Sequence, residues 1–278
     1  MTTSEPTGTA LITGASSGIG AEYASRLAGR GWNLVLVARR RDRLTDLGQQ
    51  LRERDAVRVE ELVADLSEPV DLPRVAERAA GEDVDLLINN AGINGYGPFA
   101  ETDAELLNKV VGVNVTAVTS LARAALPGML RRERGTVINV ASLLAFSGDV
   151  PPNPLPQRAV YGASKAYEVA FTRILAAELD GSPVRAQVVC PGLTATEFHL
   201  TQGDEPVAER APQVHDDGGM PAPDVVTASL SAFDAGETVC IPGLAEPDAV
   251  RRLAEAEAAL RTASGSPLAE RYRTSAQG

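Results

Sequence analysis

Aromatic residues are scarce, at 4% of 278 positions, and only one tryptophan, Trp32, is present. Cysteine and histidine number two each. Two cysteines, Cys190 and Cys240, exclude a disulfide scaffold and a zinc site built on several thiolates, and they fit a compartment where thiols stay reduced. His199 and His215 have no ligand cluster around them in the sequence, so no metal site is expected. No run approaches the ~18 consecutive apolar residues of a membrane span. Residues 1–9 are polar and lack the cationic and apolar regions of a signal peptide. Excess positive charge is missing as well: 26 Lys+Arg against 37 Asp+Glu give a net charge of −11. A general nucleic-acid or anionic-membrane binder needs a basic surface. These absences lead us to expect a cytoplasmic protein with no nucleic-acid and no membrane partner.

What the chain does have is 44% hydrophobic and 23% charged residues, the proportions of an ordinary globular protein. Short, β-branched runs at residues 10–13, 34–38, 57–63, 84–88, 136–140, 184–190 and 238–241 read as buried strands. Amphipathic stretches at 19–29, 42–54, 73–80, 103–132 and 161–179 read as helices between them. Strands separated by helices predict βαβ units and a parallel sheet covered on both faces. One unbroken alternation predicts a single doubly wound α/β domain over residues 1–245. Residues 147–157 contain Pro151, Pro152, Pro154 and Pro156 and predict an extended, inserted loop. Residues 201–223 are polar and predict a long mobile loop or lid. Its acids, Asp204, Glu205, Glu209, Asp216 and Asp217, read as a solvated loop. Residues 246–278 predict a helical extension carried by Ala249, Leu253, Ala256 and Leu260, followed by a polar tail.

The first strand runs into Thr13-Gly14-Ala15-Ser16-Ser17-Gly18-Ile19-Gly20, and a helix follows. Glycine there permits a tight turn and lets a phosphate approach the main chain. The helix N-terminus adds free N–H groups and partial positive charge. Further short patterns follow at strand ends. Asp65-Leu66 comes after the third strand and Asn89-Asn90-Ala91-Gly92 after the fourth. Asn114 lies in the long helix, Ser142 follows the fifth strand, Tyr161-x-x-x-Lys165 opens the next helix, and Pro191-Gly192 follows the sixth strand. In this order the patterns resemble the short-chain dehydrogenase/reductase family over almost the whole chain. The resemblance implies a Rossmann-type, seven-stranded sheet of order 3-2-1-4-5-6-7 that binds a nicotinamide dinucleotide at the carboxyl ends of its strands. It also implies that Gly14, Ser16, Ser17, Gly18, Ile19, Gly20, Asp65, Leu66, Asn90, Ala91, Gly92, Pro191, Gly192, Thr194 and Thr196 serve the cofactor.

The second strand ends at Ala38, followed by Arg39-Arg40-Arg41. An NAD-preferring enzyme holds the free ribose 2′-hydroxyl with an acid at this strand end. Ala38 cannot do so, whereas the guanidinium of Arg39 can bind a 2′-phosphate, with Ser16 as a second contact. NADP(H) is therefore the expected cofactor. Tyr161 and Lys165 are four apart and share a helix face. A nearby ammonium favours tyrosinate over a phenol whose ordinary pKa is ~10, the tuning that general acid–base catalysis needs. By resemblance, Tyr161 exchanges the proton with the substrate oxygen, Ser142 hydrogen-bonds that oxygen, Lys165 holds the nicotinamide ribose, and Asn114 positions a water that links Lys165 to solvent. The serine stands further from the tyrosine than is usual in the family, and the proline-rich insertion accounts for the extra length. Ser147 is closer to the usual spacing, but the run from Gly135 to Ser142 matches the family's strand-then-serine pattern, so Ser142 is the expected residue.

Tyr96, Phe99, Leu143, Leu144, Phe146, Leu193 and Phe198 are expected to wall the substrate pocket, with Tyr96, Leu143 and Phe198 as contacts alongside Ser142. Their apolar character suits a lipophilic carbonyl compound. The leading expectation is an NADP-dependent oxidoreductase (carbonyl reductase or alcohol dehydrogenase). The alternatives are an isomerase or eliminase that uses bound cofactor without net redox, and a regulatory protein that senses NADPH. Assembly into a homodimer or homotetramer through the two long helices is a further implication of the resemblance.

Overall fold

A computed structural model describes residues 8–153, 155–202, 205–206, 218–246, 248–263, 265 and 268–273. The chain divides into two compact units, Met1–Pro242 and Gly243–Gly278. In the first, seven strands alternate with helices. They are β1 (Thr9–Thr13), β2 (Asn33–Ala38), β3 (Val59–Val63), β4 (Val84–Asn89), β5 (Thr136–Val140), β6 (Arg185–Val189) and β7 (Val239–Cys240). All pair in parallel, in the order β3-β2-β1-β4-β5-β6-β7. The chain leaves β1 in one direction and β4 in the other, so the strand order reverses between them. A crevice opens at such a point, beyond the carboxyl ends of the strands.

The strands hold still because alternate residues feed two separate cores. On one face Ile12, Leu36 and Ile88 pack with Tyr23 and Leu27 of helix α1 (Gly18–Ala28) and Leu44 and Leu51 of α2 (Arg41–Asp55). On the other, Leu11, Val35, Leu87 and Val137 pack with Val75 of α3 (Asp71–Ala79), with Leu121, Ala122, Ala125 and Met129 of α4 (Ala104–Arg131), and with Leu175 of α5 (Ala159–Glu178). Helix α4 is long and apolar enough to cross a membrane by length and composition; here those four residues are buried in the core.

Three features depart from the sequence reading. Ala222–Asp234 is a helix, α6, that the pattern did not announce; Val225, Val226 and Leu230 are buried on its inner face. Its start overlaps the end of the expected 201–223 loop. Pro223 reads as a loop residue, yet proline is well accommodated in the first helical turn, where its missing N–H has no partner to lose. Second, α4 is not regular: Gly112–Ala117 forms a π-helical stretch. Third, Leu143–Phe146 forms a 3-10 turn directly after β5, capped by Ser142 Oγ, which accepts from Leu144 N at 3.1 Å. Within the expected lid, Thr201–Gln202 pairs with Glu205–Pro206. Asp204, Glu209, His215, Asp216 and Asp217 lie outside the described residues, as does Pro154 of the insertion. The second unit carries helix α7 (Asp248–Ala263), laced by pairs such as Arg251–Glu255 at 2.6 Å.

Candidate active site

The glycine-rich turn is locked by its neighbours. Gly14 and Gly18 have φ of +66° and +55°, a region that disfavours any side chain. Gly20 needs its missing side chain for another reason: a Cβ there would collide with the Gly14 carbonyl oxygen. Asn90 braces the turn from the end of β4, donating from Nδ2 to the carbonyls of Thr13 at 2.9 Å and Gly14 at 3.3 Å. Thr13 Oγ1 accepts from the main-chain N–H groups of Asn90 and Ala91, both at 3.0 Å. Helix α1 then begins at Ser17 with no side-chain cap and no acid in its first turn. Its leading N–H groups thus face the crevice, a ready anion site.

The crevice encloses about 1810 Å³, well above the ~300–1,000 Å³ of a single small-ligand pocket. It runs from Ser16, Ser17 and Ile19 past Arg39, Asp65 and Leu66, along Asn90, Ala91 and Gly92, to Ser142, Tyr161 and Lys165. Pro191, Gly192, Thr194 and Thr196 form the opposite wall. Gly20 and Asn114 stand behind the wall and not in it. Asn114 is buried in the π-helical stretch and holds the loop after β4: Oδ1 accepts from Ile93 N and Nδ2 donates to Ile93 O, both at 3.1 Å. Its Oδ1 and Lys165 Nζ lie 3.4 and 3.5 Å from where a Gly92 Cβ would be. An amide and an ammonium therefore converge beside a gap that only glycine leaves open.

Tyr161 lies at the inner end of this crevice. Its ring meets Tyr96 edge-on at 5.2 Å between centroids and Phe198 at 5.9 Å. Ser142 and Tyr96 neighbour its phenol, and both favour the phenolate. Burial acts the other way and dominates, with the charge of Glu168 adding to it, so the phenol is held above the ordinary tyrosine value. Lys165 Nζ is 5.9 Å from the ring centroid.

A model of the family described as short chain dehydrogenase matches residues 8–206. The chain belongs to the short-chain dehydrogenase family. A short-chain dehydrogenase from Sphingobium yanoikuyae, solved in complex with NADPH, is 36% identical, with 97% of this chain and 100% of that one covered at a TM-score of 0.85. The bulky-bulky ketone specific alcohol dehydrogenase from Comamonas testosteroni is 34% identical, with 96% and 99% covered at a TM-score of 0.83. A very-long-chain 3-oxoacyl-CoA reductase from Anas platyrhynchos is 32% identical over 194 residues, 68% of this chain but only 60% of that protein.

The two candidate serines have different surroundings. Ser142 caps the turn at Leu144 N and favours the phenolate of Tyr161. Ser147 Oγ donates to Leu144 O at 2.7 Å and accepts from Arg158 Nε at 2.7 Å. Arg158 is itself buried and also donates to the carbonyls of Ser147, Val150 and Pro156, at 2.7, 2.8 and 3.0 Å. The inserted loop is thus folded around a guanidinium, and Ser147 is spent on holding it. Of the expected pocket walls, Leu143, Leu144, Phe146, Leu193, Tyr96 and Phe198 line the crevice. Phe99 does not; it is 65% exposed, because the turn after Pro98 carries it outward. Among the described residues no group of three or more His, Cys, Asp or Glu converges as a metal site.

Sequence reasoning gave less weight to Arg40 and missed Glu197 and Glu168. Arg40 donates to Ser16 Oγ at 2.9 Å, to Ser17 Oγ at 2.6 Å and to Glu197 at 2.8 Å. Glu197 also takes Arg43, at 2.6 Å, and these two arginines hold its carboxyl down at about 2. Arg39 is in the wall, 3.9 Å from Asp65. No local pattern links positions 40 and 197. Glu168 did leave a signal, an acid seven residues after Tyr161 and three after Lys165 on the inward helix face.

Proposed function

We propose that the chain is an NADP(H)-dependent oxidoreductase that reduces ketones or aldehydes on bulky apolar molecules. The observation that carries this reading is the placement of the Tyr161 phenol. It meets Ser142 and Tyr96 at the end of a crevice that begins at a helix N-terminus. NADPH supplies the hydride when bound. Tyr161 would donate the proton to the carbonyl oxygen, and Ser142 would hold that oxygen by a hydrogen bond. Lys165 has three N–H donors; two are directed inward, to Val140 O at 2.9 Å and Glu168 Oε1 at 2.7 Å. The third is left for a ribose hydroxyl. Leu143, Leu144, Phe146 and Leu193 exclude water on the substrate side. Support for a bulky substrate comes from this apolar wall and from the likeness to a dehydrogenase named for bulky ketones.

Cofactor choice rests on the end of β2, where Ala38 stands with Arg39 and Arg40 beside Ser16. A 2′-phosphate finds two guanidinium groups there, and the acid that would hold a bare 2′-hydroxyl is missing. Arg39→Asp is expected to weaken NADPH about 10- to 100-fold, the loss of one charge-assisted hydrogen bond plus repulsion, with NADH affinity little changed. Fluorescence titration with both nucleotides checks this; an unaltered ratio of affinities would refute the assignment.

The serine roles separate by substitution. Ser142→Ala is expected to lower kcat/KM about 10²-fold, as for other lost donors to a reacting oxygen. Ser147→Ala should leave the rate within a few-fold and lower stability by about 1 kcal/mol, the loss of an Arg158 partner. The opposite ranking of rates would transfer the role to Ser147. The overall reading is tested by following NADPH oxidation over a panel of bulky ketones and aldehydes. Tight NADPH binding without turnover on any of them would favour a non-redox use of the site.

A further inference from the structure

Helix α5 turns three ionisable side chains toward the end of β5: Tyr161, Lys165 and Glu168, all buried. Spacings of four and three place them on one face. Glu168 is 1% exposed, and its Oε1 takes the Lys165 ammonium at 2.7 Å. Its other oxygen, Oε2, is buried without a hydrogen-bond partner. A buried carboxylate oxygen left unsatisfied is costly and uncommon. Fold stability alone is a poor reason to keep one, since buried ion pairs contribute little over apolar packing. The carboxylate nevertheless lies against the one ammonium beside the reacting phenol.

Electrostatics then decides what the triad does. A lone buried ammonium beside a phenol favours phenolate. A carboxylate 2.7 Å from that ammonium cancels most of its field. We propose that Glu168 is a positioning residue: its carboxylate pins Lys165 against the Val140 carbonyl and offsets the ammonium charge, so that Tyr161 is kept as a proton donor. This rests on the reading of Tyr161 as the acid of the reaction. The equilibrium of the reaction is untouched. What changes is the pH range over which the free enzyme carries the phenol that ketone reduction needs, or the phenolate that alcohol oxidation needs.

The surroundings agree. The groups that face Glu168 are Lys165 and Tyr161 on its own helix and Cys190 at the end of β6. Burial, with Glu168 next, pushes the Cys190 thiol up to about 12, so it stays neutral. Burial lifts Glu168 itself to about 7 against the pull of Lys165. The carboxylate is therefore charged throughout the alkaline range in which a tyrosine titrates.

The test is a titration of Tyr161 in the protein without cofactor. The ultraviolet phenolate band of the native protein, minus that of Tyr161→Phe, isolates this residue among five tyrosines. The same difference is taken in a Glu168→Gln background. Gln keeps the shape and an acceptor for Lys165 but removes the charge. The phenolate midpoint should fall by about 1–3 pH units. The alkaline limb of ketone reduction and the acid limb of alcohol oxidation should move down with it, while KM and NADPH affinity stay within a few-fold. An unmoved midpoint overturns the proposal, and so does a loss of rate in both directions with unchanged pH profiles, the mark of a structural role. Should Gln at 168 not fold, the charge-neutral pair Lys165→Met with Glu168→Leu replaces it. Offsetting charges predict a midpoint within about half a unit of the native one, and a rise of a unit or more would show that Lys165 acts unopposed. Turnover that survives Tyr161→Phe overturns the proposed acid but leaves the titration readable. An unmoved midpoint with turnover lost in Tyr161→Phe overturns only the role of Glu168.

Discussion

Tyr161→Phe should lower kcat/KM for ketone reduction by about 10²–10⁴-fold, the usual worth of a positioned general acid, while NADPH still binds. The substitution removes one oxygen and nothing else. The ring keeps its contacts with Tyr96 and Phe198 at 5.2 and 5.9 Å. Ser142 and Tyr96 lose a polar neighbour, but both line the open crevice, where water can replace it. Lys165 is held by Val140 O and Glu168, neither of which depends on the phenol. A binding defect is therefore not expected, and the loss should appear in kcat with KM and Kd for NADPH within a few-fold. Steady-state rates and a fluorescence titration on the same preparation separate the two. A variant that keeps more than a tenth of the native rate would show that another group delivers the proton, with Tyr96 the first to be examined.

Gly20→Ala is expected to act on the opposite end of the crevice and through sterics alone. The added Cβ would collide with the Gly14 carbonyl oxygen and lie 2.6 Å from Asn90 Nδ2. Neither can give way independently, because Asn90 Nδ2 donates to the consecutive carbonyls of Thr13 and Gly14. Relief requires helix α1 to shift away from the turn, which breaks the cradle that its N-terminus forms. Overpacking of this kind costs about 1–3 kcal/mol, so Tm should fall by several degrees. NADPH affinity should fall more than tenfold, above 1.4 kcal/mol. Calorimetry with and without NADPH checks both numbers. A variant with native affinity would show that the turn adapts and that its packing does not create the anion site.

How much of this was visible in the chain itself differs by feature. Most of the strands were legible because they are short apolar runs with both faces buried, and such runs are hard to mistake when turn residues bound them; β3, Val-Glu-Glu-Leu-Val, is only half-buried. The glycine turn and the residues at the strand ends were legible for a related reason. Local geometry demands particular side chains at fixed offsets from a strand end, so the pattern survives in one dimension. Helix α6 was hidden because Pro223, a helix-starting residue in this position, also reads as a loop. The π-helical stretch around Asn114 had no sequence mark, since one additional residue per turn changes no composition.

The amino-acid sequence by itself therefore determined the fold class, the strand order implied by the family and the identity of the tyrosine, lysine and glycine positions. The strand pattern already favoured Ser142; only the tertiary structure showed that Ser147 instead anchors the inserted loop through Arg158. It alone brought Arg40 to Ser16, Ser17 and Glu197, from segments 23 to 157 residues apart. And it alone set Glu168 in a buried pair with Lys165. A helical pattern shows that an acid lies on an inward face. Whether that face is wet, paired or dry depends on what the sheet and its loops place against it, and this fixes what the acid does to its neighbours.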